Sequence, residues 1–178
     1  MQSRLDWIIE NTKGKVVLDV GAATGTVHKE VARVAKESVG IDVMAAPGIL
    51  KESAETFIYK PRNYFDTVLL GDCLEHIQNP GLVFGCAKQN LKPGGEVIIT
   101  TPNLRYPQVF FRDSLSDYHF HGYTPKLLRQ TLSEHGFKPS KPVFFRVEGN
   151  TSMGGKLFNM VLRFWPQFSM HFGMIGKK

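Results

Sequence analysis

Cysteine is scarce in this chain of 178 residues: it has only Cys73 and Cys86, with no second pair and no histidine at zinc-finger spacing. A disulfide framework and a structural zinc finger are thereby excluded, and a reduced, cytoplasmic protein is expected. Long apolar runs are also missing. Trp7-Ile8-Ile9 is flanked by charges, and the Phe-rich C-terminal stretch is interrupted by Arg163 and Pro166, so neither a signal peptide nor a membrane span is expected. The net charge is +6, yet no run of five basic residues and no basic stripe at helical spacing occurs, which disfavours a nucleic-acid partner. There is no internal repeat, low-complexity tract or Pro/Ser-rich linker. At 42% hydrophobic and 21% charged residues, the composition is that of a globular domain. Its length suits one domain over residues 1–178, large enough to hide roughly 70% of the surface of the unfolded chain.

The charge that is present is unevenly spread. Residues 1–90 carry 10 Lys/Arg against 11 Asp/Glu, whereas residues 91–178 carry 12 against 5. Apolar segments alternate between strand-like and helical periods, which predicts an α/β fold. Ser3 is a capping residue for a first helix stopped by Gly14, and Val16–Val20 is the continuous apolar run of a strand buried on both faces. A glycine-bounded loop and a helix from Thr26 follow, then strands at Val39–Val43, Phe57–Tyr59, Phe65–Leu70 and Val97–Thr100. Asn79-Pro80 and Thr124-Pro125 start two more helices, with Lys92–Gly95 and Gly136 as their stops. Val143–Val147 and Phe168–Ile175 read as two strands joined through a helix around Lys156–Phe164, pairing as an antiparallel edge. The aromatic tail, Phe144 to Phe172, reads as core that closes the sheet edge.

The most informative stretch is VVLDVGAATGTVHKEVA. Glycines at 21 and 25 let the backbone turn sharply and approach a ligand, and the helix from Thr26 aims its N–H dipoles at it. The register Gly21-Ala22-Ala23-Thr24-Gly25 lacks the middle glycine of a dinucleotide loop, which weighs against NAD and FAD. No Gly-Lys-Ser/Thr follows Gly25, so a P-loop is not supported.

With FDTVLLGDCLEHIQNP, LKPGG, TTPN and HFHGYTPKLLRQTLSEHGF following in order, the chain resembles the class I S-adenosylmethionine-dependent methyltransferases, in particular the group of the ubiquinone-biosynthesis O-methyltransferases. The resemblance implies a Rossmann-like, doubly wound, seven-stranded and mostly parallel sheet with an antiparallel C-terminal edge hairpin, in three αβα layers. It implies S-adenosylmethionine as cofactor, with S-adenosylhomocysteine as product. The implied donor contacts are Asp19, Gly21, Ala22, Ala23, Thr24, Gly25, Asp42, Val43, Gly71, Asp72, Cys73 and His76, with Asp42 on the ribose hydroxyls. His76 is the implied base, and His121 and Tyr123 stand with it as candidates on the acceptor side.

The implied acceptor is a small molecule methylated on a hydroxyl, such as a sugar, lipid or quinone precursor, and the basic C-terminal half points to an anionic one. Gly71-Asp72-Cys73-Leu74 stands where nucleobase N-methyltransferases carry a Pro-Pro tetrapeptide, which disfavours that chemistry. His119 and His121 form a His-x-His pair, but no carboxylate cluster at ligand spacing accompanies it apart from Asp113 and Asp117, so no metal site is expected. Two departures stand out. The predicted third and fourth strands are separated only by residues 60–64, which leaves out the family's helix and its acid near adenine. The N-terminal part is also short, so that a homo-oligomer or partner subunit would complete the acceptor site. The missing helix and the missing acid motivate the alternative of a weak or inactive methyltransferase-like domain acting as an interaction partner.

Overall fold

Strand β1 (Val16–Val20) is buried along its whole length, as the central strand of a sheet covered on both faces must be. The computed structural model describes residues 2–22, 25–44, 46–106, 119–146 and 159–178. Around β1 lie β2 (Glu37–Asp42), β3 (Ile49–Lys51), β4 (Phe65–Gly71) and β5 (Leu91–Pro102), all parallel. Antiparallel β8 (His171–Lys177) follows β5, and on its far edge run β6 (Lys138–Pro139) and β7 (Val143–Phe144). The order is β3-β2-β1-β4-β5-β8-β6, with β7 also on β8.

Period-two alternation divides the core between two faces. Val17, Leu69 and Ile98 point to one face, under α1 (Arg4–Thr12) and α2 (Thr26–Val34), with Trp7, Ile8 and Val31. Leu18, Val68 and Leu70, with Val97 and Ile99, point to the other, under α3 (Pro80–Asn90) and α4 (Pro125–Glu134), with Phe84, Leu128 and Leu132. Three helix starts follow the predicted cap chemistry. Ser3 Oγ accepts from Asp6 N at 3.0 Å, Asn79 Oδ1 from Leu82 N at 3.3 Å and Thr124 Oγ1 from Leu127 N at 3.2 Å.

Four expectations are corrected. The third strand is Ile49–Lys51, and Phe57–Tyr59 is irregular: Tyr59 N donates to Asn90 Oδ1 and Phe57 O accepts from Asn90 Nδ2, so an α3 side chain takes these backbone groups in place of a strand neighbour. The sheet has eight strands, not seven, because the chain after α4 makes two short pairings rather than one hairpin arm, with Pro139 confined to the edge. The Lys92–Gly95 turn lies within β5 as a register shift, Phe65 pairing with Leu91 and Thr67 with Glu96. The aromatic tail divides: Phe145 and Phe172 are buried, whereas Phe164 is 76% exposed and Trp165 54%. Of the predicted helix around Lys156–Phe164, residues 159–162 are helical and 156–158 lie outside the described residues.

Candidate active site

The carboxyl ends of β1, β2 and β4 meet at one edge of the sheet, where an open parallel sheet forms its crevice. Two clefts lie there and share Gly21 and Asp72. The first, about 370 Å³, is lined by Val20, Gly21, Ile41, Asp42, Val43, Met44, Glu52, Ala54, Asp72, Cys73, His76 and Ile77. The second, about 210 Å³, is bordered by Arg4, Asp19, Gly21, Ala22, Thr26, Gly71, Asp72 and Thr100, among others.

Gly21 turns the chain out of β1 with φ +74, and a Cβ there would meet Cys73 Sγ at 2.5 Å. Only glycine allows β1 and the segment after β4 to approach this closely. Gly25, at φ +78, supplies no capping side chain to α2, and Thr26 and Val27 of the first turn of α2 line the second cleft. Ala23 and Thr24 lie outside the described residues. Asp19 is buried in β1, and its Oδ2 is 3.2 Å from His28 Nδ1. Burial raises its pKa, and the His28 hydrogen bond works against that rise. His28, carried by α2, thus supports one of the predicted donor residues.

Asp42 ends β2, with Oδ1 accepting from Met44 N at 2.8 Å. Glu52 follows β3 directly and lines the same cleft, supplying an acid where none was expected. Sequence reasoning missed it because β3 was placed eight residues too late. Its place in the cleft bears on the missing acid, one of the two grounds for an inactive domain. Asp72 sits at φ 47, a strained value for a non-glycine residue, and is held by Thr100 Oγ1 at 2.9 Å, by an ion pair with Arg4 and by His171 Nε2 at 3.7 Å. Arg4 was also missed, since nothing local to α1 announces a partner after β4. Cys73 is packed beneath Gly21, and burial pushes its thiol up to about 12, which suits a packing residue rather than a nucleophile.

The short 3-10 helix Leu74–His76 carries Glu75 and His76 past the end of β4. Glu75 is buried, and its Oε2 accepts from Thr101 Oγ1 at 3.0 Å. Its carbonyl accepts from Phe120 N and His121 N, at 2.9 and 3.1 Å, so the loop before α4 is tied to this helix. The His76 and His119 rings stand edge to face with centroids 4.6 Å apart. His121 Nε2 instead faces Gln78 O at 3.3 Å. Tyr123 is buried in the core, its phenol pushed up to about 12 by burial and by Glu75. No metal site was expected, yet ligand atoms of Glu75, His76 and His119 all lie within 4.8 Å of one another, close enough to share one divalent cation. Asp113 and Asp117 lie outside the described residues.

Burial raises the Glu75 pKa above its ordinary 4.5. The folded protein then holds more protons than the unfolded chain as pH climbs above that value, so stability falls through that window. Glu75→Gln removes this cost and keeps an acceptor for Thr101. In chelator, urea unfolding at pH 7 is expected to show the variant as the more stable protein, with the difference vanishing below pH 4.5. Equal midpoints at both pH values would show that Glu75 bears no buried charge.

A family model described as a methyltransferase domain matches residues 3–141. The ubiquinone biosynthesis O-methyltransferase of Aromatoleum aromaticum is 30% identical over 125 residues, covering 61% of this chain and 53% of that protein. The one of Erwinia tasmaniensis is 33% identical over 119 residues, covering 56% and 49%. The chain therefore spans about half the length of the curated relatives it matches. A SAM-dependent methyltransferase from Archaeoglobus fulgidus superposes with a TM-score of 0.73 at 20% identity, over 98% of this chain and 91% of its own. The 1,6-didemethyltoxoflavin-N1-methyltransferase of Burkholderia thailandensis, solved with S-adenosylhomocysteine, gives 0.71 at 15% identity, over 98% and 76%. Glycine turn, strand-end acids and sheet order all fit a match over most of its length: this chain belongs to the methyltransferase domain family.

Proposed function

We propose that this chain is an S-adenosylmethionine-dependent methyltransferase that methylates a hydroxyl of a small, anionic molecule, with donor and acceptor sites on one domain. One juxtaposition carries the reading: Asp42, Glu52 and His76 line a single cleft at the strand ends. The two oxygens of Asp42 suit a vicinal diol, and Glu52 suits an amino group; together they match a nucleoside. Arg4 and the positive end of the α2 dipole, bordering the second cleft, suit a carboxylate. Ala22, Val43 and Gly71 line these clefts. The oxygen-directed relatives support a hydroxyl as the acceptor.

The donor supplies an electrophilic methyl on a sulfonium: the carbon–sulfur bond breaks as the carbon–oxygen bond forms, and sulfur departs as a neutral thioether. The protein then has to hold the acceptor in line and take its proton. His76 accepts that proton at a ring nitrogen. His119 takes the place first given to His121, because its ring touches His76 and its pKa is lowered by burial and by the charge of His76. Glu75, beside both, stabilises the imidazolium. Tyr123 serves as packing.

Calorimetric titration with S-adenosylhomocysteine tests the donor site. Wild type is expected to bind and Asp42→Ala to bind roughly 10- to 100-fold more weakly, the loss of hydrogen bonds to a charged group. NAD should not bind. Unchanged affinity in the variant would remove Asp42 from the site, and a wild type that binds nothing would overturn the enzyme reading.

A further inference from the structure

The part of the aromatic tail that does not enter the core forms a surface. Met160, Val161, Phe164, Trp165, Phe168 and Met170 are all exposed within one stretch of eleven residues. Such a density of large apolar groups on one short segment exceeds the scattered exposure normal for a soluble surface. Local geometry fixes the segment where it stands. Asn103 Nδ2 donates to Gln167 O and Ser169 O at 2.9 and 2.8 Å, and Asn103 N donates to Met170 O at 2.8 Å. Asn103 follows β5 and bridges to Tyr123, so the segment and the loop that carries His119 are anchored at the same strand end, beside the crevice.

Charge identifies the occupant. From Gly149 to the last residue the sequence has no Asp or Glu and has Lys156, Arg163, Lys177 and Lys178. Arg163 is exposed within the apolar segment, and Arg105 is exposed in the turn that Asn103 begins. A protein partner's face would bring hydrogen-bonding groups of both signs. Tryptophan, phenylalanine and methionine accompanied, within residues 159–170, only by positive charge match a bilayer interface, where aromatic rings enter the headgroup region and arginines meet lipid phosphates. We infer that residues 160–170, with Arg105, form a docking surface for an anionic lipid bilayer. The segment is too short to cross one, and among the described residues no helix is long and apolar enough to do so. This association is peripheral and does not depend on the transfer chemistry.

The two tryptophans make the test direct, because Trp7 is 5% exposed and Trp165 is 54% exposed. The whole chain is mixed with vesicles of phosphatidylcholine, with or without phosphatidylglycerol, and followed by co-sedimentation and by tryptophan quenching with brominated lipid. Wild type is expected to pellet with the phosphatidylglycerol vesicles, with partial quenching that reports Trp165 alone. The double variant Phe164→Ser/Trp165→Ser, changed only at exposed positions, is expected to bind about tenfold or more weakly while keeping its circular dichroism and its affinity for S-adenosylhomocysteine. Arg163→Gln should weaken binding to anionic vesicles, and added salt should do the same. Failure of wild type to pellet, or equal pelleting of the double variant, overturns the proposal. So does a wild-type dimer in light scattering that the double variant abolishes without any lipid binding, since the surface would then belong to a second copy.

Discussion

Gly21→Ala is expected to abolish binding of S-adenosylhomocysteine and to destabilise the fold. Two independent costs meet at this position. The left-handed backbone, φ +74, costs a residue with a Cβ roughly 1–2 kcal/mol. The Cβ itself would lie 2.5 Å from Cys73 Sγ and 2.9 Å from Cys73 Cβ, so β1 and the segment after β4 must separate. Both clefts include Gly21, and neither keeps its shape if they do. A double-mutant cycle separates the two costs. Cys73→Gly removes both clashing atoms, so Gly21→Ala placed on that background should recover the steric part and keep only the backbone strain. If Gly21→Ala costs the same on both backgrounds, the contact with Cys73 does not limit this position.

Trp7→Ala is expected to cost about 3–5 kcal/mol, the range for removing a buried aromatic residue. The Trp7 ring lies 5.5 Å from that of Phe145, and a Cβ on Gly173 would meet Trp7 Cζ3 at 2.7 Å, so the indole fills the space between α1 and the sheet. The consequence reaches the site, because α1 also carries Arg4, which pairs with Asp72. Urea unfolding should show the loss of stability, and titration under folding conditions should show weaker ligand binding than in wild type. A loss below about 1 kcal/mol would mean that α1 is held by something other than this anchor.

What could be read in the sequence was local chemistry with a short range. Ser3, Asn79 and Thr124 each cap the helix they precede, and Gly14 and Gly136 take the positive φ of a helix end. The loop from Gly21 to Gly25 announced a ligand because glycine spacing is a direct statement about backbone approach. What could not be read depended on distant partners or on weak elements. Strand β3 has three residues, two of them exposed, so its apolar signal hardly differs from that of a loop, and Glu52 was lost with it. His119 meets His76 across more than forty residues of chain, while the nearer-looking candidate, His121, turns to Gln78. The aromatic tail misled because composition alone does not separate rings that fill a core from rings that stand outside it.

The position of β8 bears on the order in which the molecule can be assembled. Residues 171–177 do not decorate an edge: they lie between β5 on one side and β6 and β7 on the other, with Thr100 opposite Gly173 and Phe144 opposite Phe172. A ribosome delivers β5 long before its antiparallel neighbour, so β5 emerges with one side unpaired, and β6 and β7 emerge with no strand to join. Closure therefore waits for residues 171–177 to arrive, and contacts this distant in sequence form slowly. During that interval β5 is an open strand edge, the kind of template on which chains join one another rather than themselves.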